Sequence, residues 1–461
     1  MTSWAKELGA ILKLDVELVF ANPDDIKRYL GEFYNLARSM KRASEAQPGQ
    51  VSLARNFEQL VELGKRGTLD ANDSHVVHIT DWLWQYAFEQ RASDIHIEPR
   101  RDVGQVRFRI DGVLHQVYAI PTPVLLAMTS RIKLLARMEI VEKRRPQDGR
   151  IKTVAPDGQE VELRIATMPT AFGEKIVMRI FTPEVLVRDF TDLGFTPDDR
   201  ARWEQMVREP HGIILVTGPT GSGKTTTLYT ALDELNKPDV KILTVEDPVE
   251  YQMAGINQIQ VKPQIDLTFA NALRSIVRQD PDVIMIGEIR DLETAQIAVQ
   301  SALTGHLVLS TVHTNDAAGT VNRLLDMGVE DYLLTSTVIG IEAQRLVRTL
   351  CPHCKEPYTA LPEMVEHTGI GRFAGGGPVT LWHAKGCGQC SHTGYTGRVS
   401  IIEMMPMTDA LRALVMRHAT SIELKAQAVR DGMVTMYEDG LRKAVTGITT
   451  VEEVLRATRE D

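Results

Sequence analysis

At 461 residues the chain is too long for one hydrophobic core, and at about 100–200 residues per domain it predicts roughly two to four. With 43% hydrophobic and 25% charged residues it has the composition of an ordinary folded protein, and no apolar run approaches the ~18 residues of a membrane span. A net charge of -9 argues against an extended nucleic-acid surface. The N-terminal MTSWAKELGAILKLD has no long apolar stretch followed by a small-residue cleavage site, which predicts a cytosolic chain whose membrane contacts are peripheral.

In chain order, residues 24–43 carry Ile26, Leu30, Phe33, Ala37 and Met40 at helical spacing before SEAQPGQVS breaks the pattern. Residues 1–48 therefore read as a partial or short N-terminal domain with its linker. A second module, 73–184, opens with the helix VVHITDWLWQYAFEQ and continues in short alternating segments at 95–97, 105–110 and 160–165, a mixed α+β pattern. The stretch 183–197 (PEVLVRDFTDLGFTP) reads as a connector into a third unit, 196–461. There, apolar runs at 212–217, 241–245, 283–286 and 307–312 alternate with helical stretches, as in a doubly wound parallel α/β sheet. After Ser400 the pattern turns mostly helical, with 407–461 as C-terminal helices. The chain shows no repeat of fixed period.

The most specific motif is GPTGSGKT, formed by Gly218, Pro219, Thr220, Gly221, Ser222, Gly223, Lys224 and Thr225 and followed by Thr226. It satisfies G-x-x-x-x-G-K-[ST] between a predicted strand and a predicted helix, so backbone N–H groups and a helix N-terminus would converge on phosphate oxygens. Lys224 would reach the β- and γ-phosphates, and Thr225 would offer its hydroxyl to Mg²⁺. The bland alternative, a glycine-rich turn with a surface lysine, does not account for the flanking strand and helix.

Phosphoryl transfer also requires acids and positive charge, and α/β sheets place them at the carboxyl ends of their strands. Glu246, Asp247 and Glu250 follow one predicted strand, and Glu288 follows another. Gly287 stands where a metal-binding aspartate is usual, leaving Glu288 as the acid of that strand. His306 and His313 bracket the run LVLSTV and are candidate γ-phosphate sensors. The guanine-like NKPD at 236–239 follows the wrong element for a base reader and is a turn.

Cys351 and Cys354 form one CxxC pair and Cys387 and Cys390 a second. Four thiolates at this spacing close a tetrahedral Zn²⁺ site with no open position, which predicts a structural zinc subdomain over 347–400. A redox dithiol is the alternative.

ASDIHIEP, RRPQDGR, PTAFGEKIVMRI, GPTGSGKTTT, LTVEDPVEY, RQDPDVIMIGEIRD, TGHLVLSTVHTND and the two CxxC pairs together resemble the secretion ATPase superfamily, more closely the type II secretion and type IV pilus assembly ATPases. The resemblance implies a PAS-like domain followed by a RecA-like motor domain, with ATP, Mg²⁺ and Zn²⁺ as ligands. It implies a cytoplasmic homohexamer at the bacterial inner membrane, bound to secretion platform and docking proteins. By the same resemblance Glu288 is the general base, Glu246 positions water, and Arg164 and Arg179 reach a γ-phosphate across a domain or subunit boundary. Arg274 and Arg278 are further matches. SALTGHLVLSTVHTND, QRLVRTLCPHC and GITTVEEVLRATRED resemble the type II secretion branch, whereas AFGEKIVMRIF also suits a pilus extension motor. A nucleic-acid translocase is the weaker alternative, set against the acidic charge. Relatives carry a longer N-terminal region, so docking through this end departs from the family pattern.

Overall fold

The computed structural model describes residues 70–101, 103–181, 188–375 and 377–458. The predicted helix at 24–43 and the unit at 1–48 lie outside the described residues.

The first domain begins with helix α1, Ser74–Glu89, which buries Val76, Thr80, Leu83, Trp84 and Ala87 at helical spacing. Strands β1 (Ala92–Glu98), β2 (Val103–Ile110) and β3 (Val113–Pro121), then helix α2 (Thr122–Leu135), lead to β4 (Gln147–Val154), β5 (Glu160–Thr170) and β6 (Gly173–Phe181). They form one antiparallel sheet in the order β3-β2-β1-β6-β5-β4. Alternation sorts its faces: Ile95, Ile97, Val106, Phe108, Leu163 and Met178 join the helices in one core. The opposite face carries Asp94, His96, Glu98, Arg107 and Arg109. Beneath the core, Lys133 Nζ of α2 is buried against Glu174 Oε1 of β6 at 2.7 Å and donates to the Glu142 carbonyl at 2.6 Å.

The second domain starts earlier than residue 196. Helix α3 (Phe190–Leu193) lies inside the predicted connector, and Phe190 and Phe195 stack edge-on at 4.7 Å beside the fully buried Trp203 of α4 (Pro197–Val207). Burying these rings anchors the end of the connector in the core. Then follow β7 (Gly212–Thr217), α5 (Lys224–Leu235), β8 (Ile242–Glu246), β9 (Asn257–Gln260), α6 (Phe269–Ile276), β10 (Val283–Ile286), α7 (Leu292–Leu303) and β11 (Leu307–Val312). Helices α8 (Ala317–Asp326) and α9 (Asp331–Thr337) precede the 13-residue strand β12, Val338–Leu350. A small subdomain holds the hairpin β13 (Lys355–Thr359) and β14 (Thr380–Ala384), with α10 (Pro362–Thr368) between them. The chain returns as β15, Tyr395–Pro406, and ends in α11 (Asp409–Val415), α12 (Ser421–Arg430), α13 (Met436–Val445) and α14 (Val451–Thr458).

The large sheet runs β15-β12-β7-β11-β10-β8-β9, parallel except where β15 pairs antiparallel with β12. All six residues of β7 are buried, because Ile213 and Leu215 enter the core on one face and Ile214 and Val216 the core on the other. The stretch after Ser400, expected to turn mostly helical, first completes β15 through Pro406. Residues 399–405 are buried on both faces and show no alternation, so their pairing with β12 decides their conformation. The cysteine segment is thus an insertion between two strands of the main sheet. No helix among the described residues is long and apolar enough to cross a membrane.

Glu174→Gln is expected to leave the Lys133 ammonium buried without a counter-charge, at a cost of about 3–5 kcal/mol. This reads out as a lower denaturant midpoint for the first domain, and the double variant Lys133→Met/Glu174→Met should recover most of it.

Candidate active site

The phosphate loop leaves the carboxyl end of β7 and turns directly into α5. Gly218, Gly221 and Gly223 adopt φ of 145°, 80° and 95°, a region costly for any residue with a Cβ. Close approach adds a second constraint: a Cβ on Gly218 would lie 2.4 Å from the Gln344 carbonyl oxygen. Gln344 of β12 also grips the loop with its side chain, donating to the Ser222 carbonyl at 2.7 Å and accepting from Thr227 Oγ1 at 2.7 Å. Thr225 is exposed at the loop's mouth, whereas Lys224 is buried.

Lys224 Nζ donates to the carbonyls of Gly218 at 2.7 Å and Pro219 at 3.0 Å, so the ammonium already sits inside the loop's curve. Burial lowers its pKa to about 8, against the opposing pull of Glu288 and Glu342. Glu342 lies fully buried on β12, and burial drives its carboxyl well above the usual carboxylate range.

Parallel register brings the acids to the same edge of the sheet. Val312 pairs with Thr217, Ser310 with Ile286 and Ile286 with Val245, so β7, β8, β10 and β11 all end beside the loop. Glu246 closes β8, almost fully buried, and accepts from Tyr229 Oη and Thr244 Oγ1 at 2.5 Å each and from Gln258 Nε2 at 3.2 Å. Glu288 follows β10 and is flanked by Arg290 at 2.5 Å and His313 at 3.4 Å. At Gly287 a Cβ would press on the Val245 carbonyl at 3.3 Å and the Glu246 Cα at 3.4 Å, so an acid there would crowd the end of β8.

The two histidines separate. His313 stands at the carboxyl end of β11 beside Glu288, but His306 precedes that strand. Its carbonyl accepts from Gly212 N and its Nδ1 lies 2.8 Å from the Ser301 carbonyl. Six strand residues at about 3.3 Å each put it roughly 20 Å from the loop edge, at the opposite end of the sheet. His306 is therefore too far from the loop to sense a phosphate held there, and only His313 stands at the loop's edge of the sheet.

Arg164 and Arg179 lie on the first domain's charged face. Across four adjacent strands, Asp94, Arg179, Arg164 and Arg150 stand in one cross-strand row. Arg179 pairs with Asp94 at 2.9 Å, while Arg164 reaches the second domain and pairs with Glu250 at 2.7 Å. Arg274 and Arg278 sit at the surface end of α6, where Arg274 pairs with Glu293 at 2.5 Å and Arg278 donates to the Arg274 carbonyl.

The four cysteine sulfurs lie within 4.8 Å of one another, with neighbouring pairs at 3.8–3.9 Å. Tetrahedral Zn²⁺ with metal–sulfur bonds of about 2.3 Å requires sulfur separations of about 3.8 Å, so the donor set fits that ion. Backbone N–H groups of Cys387 and Gly394 donate to Cys390 Sγ at 3.2 Å each, which orients that sulfur as a ligand.

Three contributors stand outside the phosphate-loop, acidic and cysteine motifs. Gln344 acts on the loop from 122 residues away on an unpredicted strand, and Gln258 reaches Glu246 from the edge strand β9. Tyr229 lies in the predicted helix after the loop, where its apolar ring reads as core.

Because Lys224 titrates near 8 and phosphate favours its charged form, nucleotide binding above pH 8 should take up a proton. Affinity should fall with rising pH there, approaching about tenfold per pH unit. Calorimetry at pH 8.5 in two buffers of different ionisation enthalpy measures that uptake.

The chain matches the family model "Type II/IV secretion system protein" over residues 70–456. It is 53% identical over 452 residues to a type II secretion system protein E of Xanthomonas campestris pv. campestris, covering 98% of this chain and 78% of that one. It is 49% identical over 441 residues to the type IV pilus assembly ATPase TfpB of Acinetobacter baylyi, covering 96% and 75%. Among solved structures, the pilus retraction motor PilT with bound ADP is similar at a TM-score of 0.54 and 26% identity, covering 82% of this chain and 96% of that one. With its phosphate loop, the acids at the neighbouring strand ends and a match across most of its length, the chain belongs to the family of type II/IV secretion system ATPases.

Proposed function

We propose that the protein hydrolyses ATP to power type II protein secretion, driving pseudopilus assembly through an inner-membrane platform. The observation that carries this reading is the shared edge of β7, β8 and β10, which sets Glu246 and Glu288 beside a phosphate loop in a chain 53% identical to a type II secretion system protein E. The loop's N–H groups and Lys224 hold the phosphates, and Lys224 exchanges the carbonyls of Gly218 and Pro219 for β- and γ-oxygens. Thr225 would hold Mg²⁺, which when bound neutralises charge on the phosphates. Glu288 accepts the proton of the attacking water, Glu246 orients that water, and His313 steadies Glu288.

Arg164 and Arg179 serve the γ-phosphate of an adjoining subunit in a homohexamer. The row Arg179, Arg164 and Arg150 supports this: it is held in place by Asp94, Glu250 and Glu162, and such guanidinium groups are suited to stabilising γ-phosphate charge. The four cysteines hold Zn²⁺ as a structural clamp on an insertion whose own core is small. The chain works in the cytoplasm and meets the inner membrane through protein partners. Type IV pilus extension is the second reading, favoured by the 49% identical pilus assembly ATPase.

Steady-state hydrolysis is the direct test: Lys224→Ala should be inactive, and Glu288→Gln should bind ATP while losing about 10²–10⁴ in kcat. Wild-type rates in Lys224→Ala would refute the ATPase reading, and co-purification of a pilus platform instead of a secretion platform from native membranes would select the second one.

Metal analysis by mass spectrometry is expected to find one zinc per chain. Cys351→Ser should lose it and become protease-sensitive between β12 and β15.

A further inference from the structure

Tyr229 is fully buried in the core between α5 and the sheet, yet its hydroxyl takes no part in that apolar packing. It donates to Glu246 Oε2 at 2.5 Å and accepts from the backbone N–H of Glu250 at 3.3 Å. Burial, then the charge of Glu246, raises the phenol pKa, so the group remains a donor across the working pH range. The other carboxylate oxygen, Oε1, accepts from Thr244 Oγ1 at 2.5 Å and from Gln258 Nε2 at 3.2 Å, and the Gln258 Oε1 is occupied by the Met253 N–H at 2.7 Å. Both oxygens of Glu246 are therefore fixed from outside the phosphate loop. The side chain of Glu250, whose amide meets the phenol, pairs with Arg164 of the first domain at 2.7 Å.

We infer that Tyr229, seconded by Gln258, is a positioning residue that fixes the Glu246 carboxylate for hydrolysis and links it to the Arg164–Glu250 contact between the domains. This rests on the reading of Glu246 as the carboxylate that orients water. A carboxylate with one fixed oxygen can rotate about its last bond, and a displacement of about 1 Å at a reacting group can cost about 10²-fold in rate. Held at both oxygens, it presents one geometry. Tyr229 sits one turn into the helix that the loop begins, so the element that binds phosphate also aligns the carboxylate facing it. The backbone of Glu250 closes the link: a shift of Arg164 moves Glu250, and with it the acceptor side of the phenol.

The test is steady-state hydrolysis with the full chain, together with equilibrium binding of a fluorescent ATP analogue. Tyr229→Phe removes one oxygen and keeps the buried ring. Its kcat should fall about tenfold or more, while KM and the analogue's Kd stay within about twofold of wild type. On a Glu246→Gln background the same change should have no further effect, because Tyr229 acts through Glu246. Wild-type kcat in Tyr229→Phe, a parallel loss of analogue affinity, or multiplied losses in the double variant would each overturn the inference. If Glu246→Gln itself hydrolyses at the wild-type rate, the underlying reading of Glu246 is what fails. Gln258→Met on a Thr244→Val background, which leaves Oε1 without either donor, provides a route independent of how Tyr229→Phe folds: a lower kcat at constant KM supports the arrangement, and an unchanged kcat overturns it.

Discussion

The structure depends on the register of β7 between β11 and β12. Parallel pairing with β11 sets Val312 opposite Thr217, so the loop that follows β7 emerges beside the turns that carry His313 and Glu288. Pairing with β12 sets Ala343 opposite Thr217, so Gln344 lies directly under the loop. A slip of one residue would invert every side chain on β7 and withdraw the Gln344 carbonyl from Gly218. The glycines are thus required by two separate constraints, the φ that the loop demands and the strand that supports it.

The charges around this edge follow from burial. Lys224 is held partly desolvated among carbonyls, which lowers its affinity for a proton and suits it to an incoming anion. Glu246, equally buried, receives three hydrogen bonds, as a carboxylate removed from water must if it is to stay in one place. Glu288 is more accessible and is steadied by Arg290 and His313 from the solvent side. Two acids at one edge therefore experience different surroundings, one fixed from within the protein and one poised at its surface.

The cysteine subdomain belongs to the same framework. Cys351 directly follows β12, seven residues beyond Gln344, and β15 resumes shortly after Cys390. Whatever clamps the four sulfurs also fixes the ends of the longest strand pair in the sheet. The first domain contributes an arginine row and, among its links to the second domain, the Arg164–Glu250 pair that touches the network around Glu246.

The amino-acid sequence by itself determined the parts whose chemistry is local: the phosphate loop between strand and helix, the α/β alternation, the acids at strand ends and the paired CxxC knuckles. Each is a short run in which neighbouring residues suffice to build the feature. Tertiary structure alone decided the rest. Nothing local in VIGIEAQRLVRTL separates a long strand buried on both faces from a helix, and β12 and β15 are strands because they pair with each other and with β7. His306 and His313 look equivalent in sequence, but a strand between them is a rod about 20 Å long, and only one end of it can meet the loop. Gln344, Gln258 and Tyr229 matter through contacts that span from 12 to 122 residues, which no spacing rule encodes.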